Sequence, residues 1–174
     1  MHHRPALLLA LTAATTAAPA ATPAPPEAYA PLAFLVGHCW KGTFPGGSVT
    51  DEHCFSWIYG GRFVRDRHVL HRGGGRPEDR GESIYLWDAG TKELQYLYIE
   101  SGGGFMRGTV TQTAGALVFP AARYSEGGQE QMVRSRWQRS GGDAYEVATE
   151  FQVKGQWQTG FSVHMQRTGT APAD

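Results

Sequence analysis

The stretch Phe34–Tyr59, FLVGHCWKGTFPGGSVTDEHCFSWIY, decides how this chain is read. Pro45-Gly46-Gly47 is turn chemistry, flanked on both sides by aromatic and β-branched residues. Centring the turn between Gly46 and Gly47 sets Cys39 opposite Cys54, Lys41 opposite Glu52 and Thr43 opposite Thr50. One face thus receives a potential disulfide, an ion pair and a hydroxyl pair, each a favourable cross-strand neighbour. A slip of one residue would scramble all three. The opposite face pairs His38 with Phe55, Trp40 with His53 and Gly42 with Asp51, and continues through Trp57 and Tyr59. A two-residue and a four-residue loop both keep this register. Pro45 has no N–H to give to the ladder, which favours the four-residue loop and the closer, non-hydrogen-bonded position for the cysteines. Either spacing allows a disulfide, and closing a loop of this length is worth roughly 3 kcal/mol in the chain-entropy description.

The next turn, Gly60-Gly61, extends the ladder to a third strand. Trp57 then opposes Val64, Phe55 opposes Asp66, and His53 opposes His68, while Arg65 and Arg67 point outward. A barrel core made only for packing would use Val, Ile and Leu. Histidines and aspartates on a buried face are costly without partners. An open, partly wet cavity removes that cost, and an aromatic wall with a few polar groups is the usual composition of a small-molecule pocket. The expected ligand-binding set is therefore His38, Trp40, His53, Phe55, Trp57, Asp66 and His68. The competing reading is that these groups only hydrogen-bond one another and hold the fold.

Working outward, turn signals recur at short intervals from His38 to the end of the chain, with about ten β-rich runs between them. The runs are His38–Phe44, Val49–Tyr59, Arg62–His71, Glu82–Asp88, Glu93–Glu100, Phe105–Gln112, Leu117–Ala121, Gln129–Ser140, Ala144–Val153 and Gln156–Gln166. No helix-period segment separates them. The expectation is an all-β fold, an antiparallel up-and-down barrel of about ten strands, since consecutive hairpins favour a meander and closure removes vulnerable edges. A short helical turn over Ala28–Val36 would plug one end. Arg72–Arg80, the longest interruption, is a candidate rim or lid. In the last two strands Tyr145, Val147, Thr149, Phe151 and Val153 form one inner row, and Trp157, Thr159, Phe161, Val163 and Met165 form another. That alternation sends His164 to solvent. Ile84–Trp87 and Leu94–Ile99 are apolar on both faces, so periodicity does not orient them.

The ends and the composition bound the function. Residues 1–20 resemble a signal peptide, with an apolar run over Ala6–Ala14 and a small-x-small site at Ala18-Pro19-Ala20. Residues 21–31 read as an Ala/Pro-rich linker, 32–168 as the barrel domain and 169–174 as a disordered tail. The chain is expected to be exported, periplasmic or extracellular, where two cysteines pair as a disulfide. No integral membrane segment is expected. The 16 basic and 16 acidic side chains balance, which offers no excess charge to a phosphate backbone, so no nucleic-acid partner is expected. Arg62, Arg65, Arg67, Arg72, Arg76 and Arg80 cluster locally, but Asp66, Glu78, Asp79 and Glu82 interrupt them.

Catalytic motifs are missing. Neither a G-x-S-x-G elbow nor a phosphate-binding G-x-x-x-x-G-K-[ST] loop occurs. His53 opposed to His68, with His38 or Asp66 near, offers nitrogen and oxygen donors, but without a compact ligand motif. No cofactor or metal is assigned. The run Phe34-Leu35-Val36-Gly37-His38-Cys39-Trp40-Lys41-Gly42 resembles the FLxGxWxG opening of bacterial lipocalin-like (calycin-type) proteins, and more distantly the nitrobindins. Gly60-Gly61-Arg62-Phe63, Tyr85-Leu86-Trp87-Asp88 and Phe105-Met106-Arg107-Gly108 follow in the same order. The resemblance covers roughly Leu32–Val110. It implies a barrel of eight to ten strands with Trp40 closing its floor against the N-terminal turn. Nitrobindins carry a haem-ligating histidine near the C-terminus. The residue available here is His164, which the alternation puts outside, so haem does not carry over. The expected function is non-catalytic binding of a small apolar or aromatic ligand. A barrel enzyme working through His and Asp, or a structural module of the cell envelope, are the alternatives.

Overall fold

The computed structural model describes residues 26–173. They form a short 3₁₀ helix, Pro26–Leu32, and ten strands. In chain order these are β1 His38–Thr43, β2 Thr50–Ile58, β3 Phe63–His71, β4 Asp79–Asp88, β5 Glu93–Glu100, β6 Phe105–Thr113, β7 Ala116–Glu126, β8 Gln129–Arg139, β9 Ala144–Val153 and β10 Gln156–Thr170. Each strand pairs antiparallel with its neighbours, and β1 pairs with β10, so the sheet closes into an up-and-down barrel.

Turn chemistry fixes the register. The first hairpin forms as its sequence dictates: Cys39 faces Cys54, Lys41 faces Glu52 and Thr43 faces Thr50. Its loop closes through Phe44 N–H donating to the Val49 carbonyl at 2.9 Å, which makes Pro45–Ser48 the four-residue loop. The cysteines are bonded, with Cα atoms 4.1 Å apart, the close spacing of a non-hydrogen-bonded pair. The second hairpin sets His53 against His68 and Phe55 against Asp66. Ala114-Gly115, Gly127-Gly128 and Lys154-Gly155 are two-residue loops with positive φ at both positions, the primed turn whose twist matches the flanking strands.

Departures from strict alternation come from bulges. Between Thr159 and Phe161 the β9–β10 register shifts by one, leaving Gly160 as the extra residue. Phe161, Val163 and Met165 stay inside. Trp157 and Thr159, expected inside, face outward opposite Gln152 and Glu150, and Trp157 takes the Arg134 guanidinium 4.4 Å from its ring centroid. A second shift between Phe119 and Ala122 lets β7 run through Pro120, which has no N–H for the ladder. The strand expected to stop at Ala121 therefore reaches Glu126. His164 is exposed, as alternation requires, and pairs with Glu146.

The 3₁₀ helix plugs one end of the barrel. It begins inside the stretch read as linker, and Tyr29 and Leu32 within it are buried. The Tyr29 hydroxyl donates to the Arg62 carbonyl at 2.7 Å and accepts from the Trp87 N–H at 3.1 Å. Trp40 is fully buried and donates its indole N–H to the Leu35 carbonyl at 3.3 Å. Its ring meets Tyr145 edge-on at 5.1 Å. At the C-terminal side β10 continues to Thr170, and the Ala171 N–H bonds the Gly37 carbonyl at 3.0 Å. The residues read as signal peptide and the first part of the linker lie outside the described residues. Because strand direction alternates, the loops after β1, β3, β5, β7 and β9 gather at the end opposite the plug. The segment 72–78, between β3 and β4, stands at this rim. Within and beside it Arg72 pairs with Asp79, Glu78 pairs with His71 and Arg80, and the Arg76 guanidinium donates to the Arg72 carbonyl.

Candidate functional site: a cavity with a buried carboxylate–histidine wall

Above the plugged floor the barrel holds a cavity of about 350 Å³, within the size range of small-molecule sites. Its long walls are apolar and mostly aromatic. Trp137 from β8 meets Phe119 from β7 at 4.7 Å, and Phe119 meets Tyr96 from β5 at 5.6 Å. Val147, Phe161 and Met165 complete the facing side.

The polar wall comes from β2 and β3. His53 projects between two carboxyl groups. Its Nδ1 lies 2.8 Å from Asp66 Oδ2 and its Nε2 lies 2.9 Å from Asp51 Oδ2. Carboxylate oxygens only accept, so an imidazole bonded to one on each side donates from both nitrogens and is an imidazolium. Burial opposes that charge, but the attraction of Asp51 and Asp66 and their hydrogen bonds outweigh it and hold the His53 pKa well above its ordinary value. Burial likewise works to raise Asp51. The charge and hydrogen bond of His53, with His68 close by, overcome it and keep the carboxyl below the usual carboxylate range. His68 sits directly opposite His53 in the β2–β3 ladder, with ring centroids 5.0 Å apart. Its Nε2 is 3.1 Å from the Tyr98 hydroxyl, and its Nδ1 is 3.3 Å from Asp51 Oδ1. Asp51, His53 and His68 each bring a donor atom within 4.8 Å of the others, and so form a possible ligand set for a metal ion. The other such cluster among the described residues, Cys39, Glu52 and Cys54, has its sulfurs locked in the disulfide.

The residues singled out from the sequence separate into three groups. His53, Asp66 and His68 line the cavity. Trp40 and Phe55 are fully buried beneath it, with the Phe55 ring stacked near His53 at 6.1 Å. His38 and Trp57 lie away from it. Gly37, not His38, donates its N–H to the Phe55 carbonyl, so the chain leaves the ladder one residue early. His38 then meets Arg167 at 3.1 Å on the outside. Trp57 has the inward parity, but at its level the interior is occupied by the plug. It packs edge-on against Tyr29 and stays 40% exposed.

The tyrosines of β4 and β5 were not selected by sequence reasoning. Tyr85, Tyr96 and Tyr98 point inward, and Ile84, Leu86, Leu97 and Ile99 take the outer face. Hydrophobicity suggests the reverse. The usable signal was glycine inside strands, which marks close approach of another group. Gly81 pairs with His68 and Gly108 with Tyr96. A Cβ on Gly81 would lie 1.9 Å from the His68 ring, and one on Gly108 would lie 2.8 Å from the Tyr96 ring. Each bare strand position gives a cavity ring its resting place.

No protein-family model matches the chain, and no curated protein matches it.

Proposed function

We propose that this chain is an exported, lipocalin-like barrel that binds a small apolar or aromatic molecule and performs no chemistry on it. The observation that carries the reading is the cavity itself, about 350 Å³ in volume, walled by aromatic rings and open opposite the plug. An apolar body packs against Trp137, Phe119 and Tyr96, and its polar end lies toward the wall of β2 and β3. Export is supported by the disulfide, which persists in oxidising compartments. Among the described residues no helix is long and apolar enough to cross a membrane.

The state of His53 weighs against the enzyme alternative. A general base needs a free lone pair within reach of its proton, and both ring nitrogens of His53 are already engaged by carboxylates. The test is a fluorescence titration with N-phenyl-1-naphthylamine, an uncharged aromatic probe. The expected result is saturable binding of one probe per chain. Val147→Trp, which fills the cavity, weakens it at least tenfold without changing the far-ultraviolet circular dichroism. Non-saturating binding, or equal binding by a folded Val147→Trp variant, rejects the reading.

A further inference from the structure

We infer that Asp51, His53 and His68 form a binding site for a divalent transition-metal ion, Zn²⁺ by the chemistry of its donors, with Asp66 as the group that orients His53. The site lies in the polar wall of the same cavity, but its assignment does not depend on the organic-ligand reading.

The first support is spacing. Zn²⁺ holds imidazole nitrogen and carboxylate oxygen at about 2.0–2.2 Å, so neighbouring donors around it lie roughly 3.0–3.5 Å apart. His53 Nε2 and Asp51 Oδ2 are 2.9 Å apart, and His68 Nδ1 and Asp51 Oδ1 are 3.3 Å apart. The Asp51 carboxylate thus stands between the two imidazoles, one oxygen toward each, and one donor atom from each of the three residues lies within 4.8 Å of the others.

The second is the supporting shell. A ligating histidine almost always gives its other N–H to a carboxylate or another fixed acceptor, which sets its tautomer and orientation. His53 Nδ1 is held by Asp66 Oδ2 at 2.8 Å, and Asp66 is only 3% exposed. His68 Nε2 meets the Tyr98 hydroxyl at 3.1 Å. In both rings one nitrogen is anchored, and the other faces Asp51.

The third is what the cluster leaves unsatisfied. Asp51 Oδ1 and His68 Nδ1 are shut off from solvent and have only each other, at a long 3.3 Å. Native proteins rarely tolerate such atoms without a role. An ion seated among the three side chains satisfies both atoms at once. Zn²⁺ takes the place of the proton that now lies between His53 Nε2 and Asp51 Oδ2, and that proton leaves to solvent. Two imidazoles and one carboxylate suit Zn²⁺ and its first-row neighbours rather than Mg²⁺ or Ca²⁺. The remaining coordination position faces the cavity that all three residues line.

The test is Zn²⁺ binding to the full, ligand-stripped chain by calorimetry, combined with ¹⁵N spectra of the histidine rings in the wild-type protein. The expected result is one ion per chain, with ring-nitrogen shifts at His53 and His68. His68→Ala abolishes that binding, and Asp66→Asn weakens it roughly 10- to 100-fold. Substitution of His164 or His71, exposed histidines paired with Glu146 and Glu78, leaves it unchanged. Ring-nitrogen shifts confined to other histidines, or no binding at millimolar Zn²⁺, overturn the inference. The wild-type spectra decide even if a variant fails to fold. Failure of the naphthylamine titration leaves this result standing, and the reverse also holds.

Discussion

Tyr145 buries its hydroxyl among aromatic rings at the floor, fully enclosed and without a hydrogen-bond partner. An unsatisfied buried hydroxyl is a cost of about 1–3 kcal/mol, not a gain. Tyr145→Phe keeps the ring contacts with Trp40 and Trp137 and removes only that oxygen. Urea unfolding is expected to show the variant as stable as wild type or up to about 1 kcal/mol more stable. A loss of that size would mean that the hydroxyl has a partner. At this scale the sequence was most informative where polar residues fell on a buried face. His53, Asp66 and His68 were legible because one hairpin register places all three on it. The inward tyrosines were not legible, because β4 and β5 are apolar on both faces and alternation carries no sign there. His38 escaped for a local reason: the β1–β2 pairing stops at Cys39–Cys54, and Gly37, at positive φ, takes the Phe55 carbonyl in its place.

Elements are held in register by turns and by the single crosslink. The disulfide lies on the outer face of the first hairpin, opposite the wall that carries His53. Replacing both cysteines with serine should lower stability by about 3 kcal/mol, read from the urea midpoint, and leave naphthylamine affinity unchanged. An equal loss of affinity would tie the crosslink to the site. The strand count and nearly every strand position followed from turn residues such as Pro45-Gly46-Gly47 and Lys154-Gly155. Bulges did not follow. One extra residue at Gly160 turns Trp157 to the outer face, and the shift near Pro120 carries β7 five residues beyond its expected end. A bulge leaves only a glycine or a proline as its mark, and the same residues also mark turns.

For the whole molecule, closure and plugging divide the interior in two. Tyr29, Leu32, Leu35 and Trp40 fill one end with packed side chains, so the cavity opens only at the other. That division explains why the inner wall read from the sequence is partly floor and partly pocket. Alternation tells inside from outside, but not how deep the plug reaches. The account stands or falls on whether the upper half is open. A crystal structure of the wild-type chain soaked with N-phenyl-1-naphthylamine tests this most directly. The predicted result is density for one probe between Trp137, Phe119 and Tyr96, beside an intact His53–Asp66 pair. A barrel whose upper half is filled by its own side chains, with the probe only on the surface, would contradict it.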